Sequence, residues 1–203
     1  MNLEKLFQMQ KKLDARILAE HPVKENEDRL SKKILALHVE LGELANEWQQ
    51  FKYWKANNEP RTKKLIDCPD CNGKGVISFH NINVHMECDR CNYTGKINKN
   101  PMLEEYIDSL HFILSIGNDI DYRPVKPKVI KTSTIIDQFH ELFYLVTDLR
   151  FCINDGEAMI RKYLDIFEHF LGLGEMLGFT WEDITVAYLD KNKVNHQRQE
   201  SGY

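Results

Sequence analysis

Apolar residues recur three and four positions apart over most of this chain, a spacing that predicts helices. Residues 2–19 bring Leu3, Phe7, Gln10 and Leu13 close to one face. A longer pattern runs from about residue 27 to 57, with Leu37, Leu41, Leu44 and Trp48 in line, and Glu59-Pro60 ends it. Residues 101–118 carry a stripe of Leu103, Ile107, Leu110 and Leu114, and Pro124 and Pro127 mark the loop that follows. Thr134 with Asp137 three residues on resembles a capping box and opens a helix to about residue 150. Asn154-Asp155-Gly156 reads as a turn. Residues 157–177 are again periodic, with Gly178 placed to cap them. Thr180 and Asp183 start a last helix bearing Tyr188, Lys191, Asn195 and Arg198. No internal repeat joins these segments. The fold class is all-α, a helical bundle.

Residues 65–98 are of another kind. They are rich in Cys, Gly and Asn, and the strand-like run VISFHNINVHM separates two Cys-x-x-Cys pairs. We read a helical domain built from residues 1–61 and 99–203, with 62–98 as an inserted module.

Composition narrows the function. The 203 residues are 42% hydrophobic and 29% charged, with a formal net charge of -4. No basic field recommends nucleic acid, and no apolar run is long enough to span a bilayer. The opening MNLEKLFQMQKKLDARI reads as a helix and not as a signal peptide, so a cytoplasmic location is expected. Four of the five cysteines are paired. In a reducing compartment these are metal ligands before they are disulfides, while Cys152 reads as a buried core thiol.

Glu40, Glu43 and Glu47 fall on one face of the second helix, and Glu105 and Asp108 are spaced alike on the next core helix. Either pair alone is commonly a solvated helix face. Two such pairs beside apolar stripes on consecutive core helices bring four like charges together. Such a cluster needs protons or cations, and oxygen-only ligands favour a hard ion such as magnesium. On the last helix Lys191, Asn195 and Arg198 share a face, as either a solvated basic surface or a grip for a polyphosphate. His111, within an apolar helix, is read as a core histidine with a satisfied hydrogen bond.

Glu-x-x-Glu on one helix and Glu-x-x-Asp on the next resemble the all-α nucleoside triphosphate pyrophosphatase superfamily, which includes the MazG-like enzymes. Within it the sequence is similar to the dimeric dUTPase family. The stretches ALHVELGELANEWQQFKYWK, EEYIDSLHFILSIGNDI and YLDKNKVNHQRQESGY carry the resemblance, and MQKKLDARI fits it. It implies a homodimeric dUTP diphosphatase that releases dUMP and pyrophosphate. Glu40, Glu43, Glu105 and Asp108 would hold two or three magnesium ions, with Glu43 as the base for a water that attacks the α-phosphorus. Lys191, Asn195 and Arg198 would contact phosphate. Lys52 and Trp54 match a segment near the active site, and Gln10 and Asp14 could read the uracil edge. The family often has Asn where Asp14 stands. Other readings are a MazG-like pyrophosphatase for another nucleotide such as dCTP, and a zinc-knuckle binding module on a helical scaffold.

Cys68, Cys71, Cys88 and Cys91 form two similar knuckles with sixteen residues between the inner cysteines, a spacing suited to one structural zinc ion. The Cys-x-x-Cys-x-Gly-x-Gly form of the first resembles the cysteine-rich domain of DnaJ-type chaperones, which implies shape and not chaperone activity. We expect a module separable from catalysis, with a surface around His80, Asn83 and His85 available to a regulatory protein.

Overall fold

The computed structural model describes residues 2–79, 84–124 and 126–202. Six helices form the main body among these residues: α1 (Leu3–Glu20), α2 (Arg29–Trp48), α3 (Pro101–Asp119), α4 (Ile135–Phe151), α5 (Gly156–Met176) and α6 (Trp181–Glu200). Side-chain caps start them. Asn2, Asp28, Asn100, Thr134, Asp155 and Thr180 each accept a backbone N–H three residues on, and Thr180 with Asp183 completes a reciprocal capping box. At the end of α5, Gly178 takes a left-handed φ of 82°. The Phe179 and Gly178 amides bond back to the Gly174 and Glu175 carbonyls, so the helix stops in a Schellman turn.

Pairs α2–α3 and α4–α5 make the closest helix packing, and α1 and α6 close over α3. Leu41 and Leu44 of α2, Leu114 of α3, Phe170 of α5 and Tyr188 of α6 are fully enclosed. Gly117 allows a close crossing, because a Cβ there would sit 2.2 Å from the Tyr163 hydroxyl oxygen. That hydroxyl donates to the Ile113 carbonyl at 3.0 Å, tying α5 to α3. Each enclosed Leu or Phe stabilises the bundle by about 1.5–3 kcal/mol relative to exposure.

Two expectations need correction. The second helix stops at Trp48, not near residue 57. Gln49 turns left-handed (φ 64°), and Phe51, Tyr53 and Trp54 point to solvent, so no apolar stripe continues the helix. Cys152 is half-buried at the α4 C-terminus and not a core thiol.

The module is built from two hairpins. β1 (Lys64–Asp67) and β4 (Lys96–Lys99) pair antiparallel as a stalk, with Lys64 opposite Lys99. β2 (Val76–Phe79) and β3 (Val84–Glu87) form the outer hairpin. His80 and Asn83 lie outside the described residues, as does the side chain of His85. At the base of the stalk the Met102 amide donates to the Arg61 carbonyl, so the chain leaves and rejoins the bundle at one place.

Candidate active site

The acids of α2 and α3 converge because these helices pack side by side, with Leu37, Leu41 and Leu44 sharing one core with Ile107, Leu110 and Leu114. Glu40, Glu43 and Glu105 each place a carboxylate oxygen within 4.8 Å of the others. Glu40 and Glu105 are half-buried and Glu43 is exposed. Burial raises the Glu40 pKa to about 7, with the neighbouring charges of Asp108 and Glu43 adding to it. Glu105 is raised to about 7 by burial and then by Asp108, Glu104, Glu43 and Glu40. Acids held so far above their ordinary range show a strong demand for positive charge. Oxygen donors only, mutually repelling and partly desolvated, fit a hard divalent cation.

Asp108 stands apart from the three. Its Oδ2 accepts from Lys191 Nζ at 2.5 Å, and Lys191 also reaches Glu104 Oε1 at 3.3 Å. Burial raises the Asp108 pKa against the pull of Lys191. Glu47, the third acid in line on α2, turns away and pairs with Arg61 at 2.9 Å.

A cavity of about 810 Å³ opens beside the acids. Glu40 and Asp108 line one part, Lys191, Asn195 and Arg198 line another, and Gln10 and Asp14 of α1 form a third wall. Gln10 is a buried residue and not a surface one, 3% exposed. Its Oε1 accepts from His111 Nδ1 at 2.7 Å and from the Tyr188 hydroxyl at 3.0 Å. Its Nε2 therefore donates to Asp14 Oδ1 at 2.9 Å, where the Ser115 hydroxyl also donates at 3.0 Å. Asp14 Oδ2 and His111 Nε2 are buried with no partner. Burial chiefly raises the Asp14 pKa, and it drives His111 down to about 3 with repulsion from Lys191 adding to it. His111 is thus a neutral ring, stacked on Tyr188 at 4.4 Å, with one nitrogen satisfied and one not.

Lys52 and Trp54 are not brought to this cavity. Lys52 hydrogen-bonds the Asn46 side chain and lies over the Phe51 ring, while Trp54 is 64% exposed with its edge against Phe51 and Tyr53. Conversely, Ser115, Phe112 and Asn118 line the cavity and were not singled out from sequence. The signal was present: Asp108, His111, Ser115 and Asn118 form a polar line along one face of an otherwise apolar helix.

In the module, Cys68 and Cys88 sulfurs are 3.7 Å apart, as are those of Cys71 and Cys91, and all four lie within 4.8 Å. Sulfurs 2.3 Å from a tetrahedral ion stand about 3.8 Å from each other, so the cage has the right size for one. The knuckles are joined reciprocally. The Cys68 amide donates to the Gly95 carbonyl and the Cys88 amide to the Gly75 carbonyl. Gly75 and Gly95 have φ of 74° and 72°, and their amides donate to the sulfurs of Cys71 and Cys91. A Cβ on either would lie 2.2 Å from a carbonyl oxygen of the other knuckle.

A family model described as dUTPase matches residues 2–71 and 92–203. The chain belongs to the dUTPase family. It is an enzyme, a nucleoside triphosphate pyrophosphohydrolase acting on dUTP. No curated protein matches the chain. The unmatched residues 72–91 of this dUTPase-family chain carry the outer hairpin and begin the second knuckle. No described helix is long and apolar enough to cross a membrane.

Proposed function

We propose that this cavity binds dUTP with its phosphates toward α6 and its base toward α1, and that water attacks the α-phosphorus to release dUMP and pyrophosphate. Glu40, Glu43, Glu105 and Asp108 would hold two or three magnesium ions. Bound there, magnesium neutralises phosphate oxygens and acidifies a ligated water. Glu43, the most exposed of the clustered acids, takes the proton of the attacking water. Lys191, Asn195 and Arg198 pair with the triphosphate, and Gln10 and Asp14 read the uracil edge. Lys52 and Trp54, on the loop after α2, contact substrate only in the assembled homodimer.

One observation carries the reading: Glu40, clustered within 4.8 Å of Glu43 and Glu105, lines one cavity together with Asp108, Lys191 and Arg198. Acids and phosphate-binding cations meet at this one cavity, with Asp108 and Lys191 paired at 2.5 Å, and a metal–triphosphate complex would supply the opposite charge that each set needs. A homodimer is supported by Leu35 and Val39 of α2 and Tyr144 and Phe151 of α4. All four are exposed, on helices that touch through the His38–Phe143 ring stack. Residues 62–98 act as an inserted module with one structural zinc on Cys68, Cys71, Cys88 and Cys91, and its outer face is offered to a regulatory protein. The cytoplasm is the compartment that suits free thiols and a nucleotide substrate. The test is a panel of nucleoside triphosphates assayed for pyrophosphate release with magnesium. dUTP should lead, and equal rates on every base would remove the assignment of Gln10 and Asp14.

A further inference from the structure

Lys191 is held by a chain of charges that begins outside the bundle. Its Nζ lies 2.5 Å from Asp108 Oδ2 and 3.3 Å from Glu104 Oε1. The other Glu104 oxygen accepts from Lys99 Nζ at 2.5 Å. Lys99 is the last residue of the module's stalk, and only Asn100 separates it from α3. Asn100 caps α3 by accepting the Leu103 amide at 3.1 Å, so stalk and helix meet with no slack. A second tie runs from the far side of the module. Arg90 bonds Asp70 within the module at 3.0 Å and Asp190 of α6 at 3.0 Å, and Asp190 is the neighbour of Lys191. The two ties bracket a groove of about 690 Å³ between the module, α3 and α6.

We propose that the four-cysteine module positions Lys191 for the phosphates of the substrate through the Lys99–Glu104 and Arg90–Asp190 ties. The proposal rests on the reading of Lys191 as a phosphate ligand. The logic is one of competing partners. When Asp108 turns to a metal ion, Lys191 keeps Glu104 as its anchor. Glu104 holds Lys191 with one carboxylate oxygen and Lys99 with the other, so Lys99 fixes its direction. Arg90 restrains the turn of α6 from which Lys191 projects. None of these three touches substrate. They are positioning residues, and the module is separable from the chemistry but not from phosphate binding.

The experiment uses the full-length protein with Arg90→Ala, Asp190→Ala, Lys99→Met, the Arg90→Ala/Asp190→Ala pair and Lys191→Ala. Readouts are kcat and KM for dUTP at saturating magnesium, the Kd for inorganic tripolyphosphate by calorimetry, and zinc content to show that the module is intact. Each single surface variant should raise KM and Kd by about two- to fivefold, the range a partly exposed ion pair supports, with kcat little changed. The double variant should be no worse than either single, because both remove one tie. Lys191→Ala should raise KM further. If Lys191→Ala weakens binding while the surface variants do not, or if the double variant is additive, the coupling is overturned and the phosphate reading stands. If Lys191→Ala changes neither KM nor Kd, the phosphate reading falls and the coupling with it.

Discussion

Gln10 donates its amide to Asp14 across 2.9 Å and so leaves Asp14 with a single unpartnered oxygen at the cavity wall. The direction of that bond is imposed from behind, since His111 and Tyr188 both donate to the Gln10 carbonyl. A fixed acceptor selects a donor, and the N3–H of uracil is one. Asp14→Ala should raise KM for dUTP by about ten- to a hundredfold, as for loss of a hydrogen bond to a charged group. The effect on kcat should be smaller. An unchanged KM would place base recognition elsewhere.

The four acids should not respond alike to neutralisation. Glu43→Gln and Asp108→Asn should each lower turnover by at least about a hundredfold, since metal-borne charge stabilisation is worth several kcal/mol. Without magnesium their stabilities should diverge from one another. Glu105→Gln and Glu43→Gln relieve repulsion, so the thermal midpoint should hold or rise. Asp108→Asn breaks the 2.5 Å pair with Lys191, so the midpoint should fall. Circular dichroism melts in chelator decide this, and a rise for Asp108→Asn would refute the pairing.

Acid should find His111. Its folded pKa of about 3 lies below the ordinary 6.5, because burial disfavours the imidazolium. Between these values the unfolded chain binds a proton that the native state does not. Stability from this residue is present above pH 6.5 and is lost as pH falls toward 3. By pH 4 the loss is up to roughly 3 kcal/mol. His111→Gln should flatten the melting midpoint against pH over that window. A parallel pH profile for the variant would assign acid lability to other groups.

Zinc should be present at one ion per chain by elemental analysis. Cys68→Ser or Cys91→Ser should abolish it, since one missing thiolate opens a cage whose sulfurs are otherwise 3.7 Å apart in pairs. The far-ultraviolet helical signal should persist, because the core of α1 to α6 lies outside the module. A zinc-free parent with an intact module would remove the metal.

Helix periodicity made the bundle legible, and acid spacing on two apolar helices made Glu40, Glu43 and Glu105 legible. What could not be read was the partner each group chooses. Glu47 continues the acidic line of α2 but is claimed by Arg61, fourteen residues on and beyond a loop. Asp108 matches Glu105 in spacing yet goes to Lys191 of α6. Spacing puts Gln10 on the apolar face of α1 but does not show that it becomes a buried hub, which it does only when α3 and α6 cover it. No Gly or Pro marks the end of α2 before Pro60; the break lies at Gln49, where the apolar stripe ceases. Such choices depend on contacts distant in sequence, which local pattern does not encode.

The stalk of β1 and β4 also bears on the order in which the chain assembles. Residues 49–100 separate α2 from α3, a long span to close before the two most closely packed helices can meet. The knuckles and stalk make their contacts within that span, so they can form first and bring Arg61 and Met102 together. The connection left to close is then only residues 49–61. Shortening a loop of about fifty residues to about fifteen lowers its closure entropy by roughly 1 kcal/mol. A segment that lengthens the sequence thus shortens the search, and a metal ion held by its four cysteines would bear on how fast the bundle nucleates as well as on how it stands once folded.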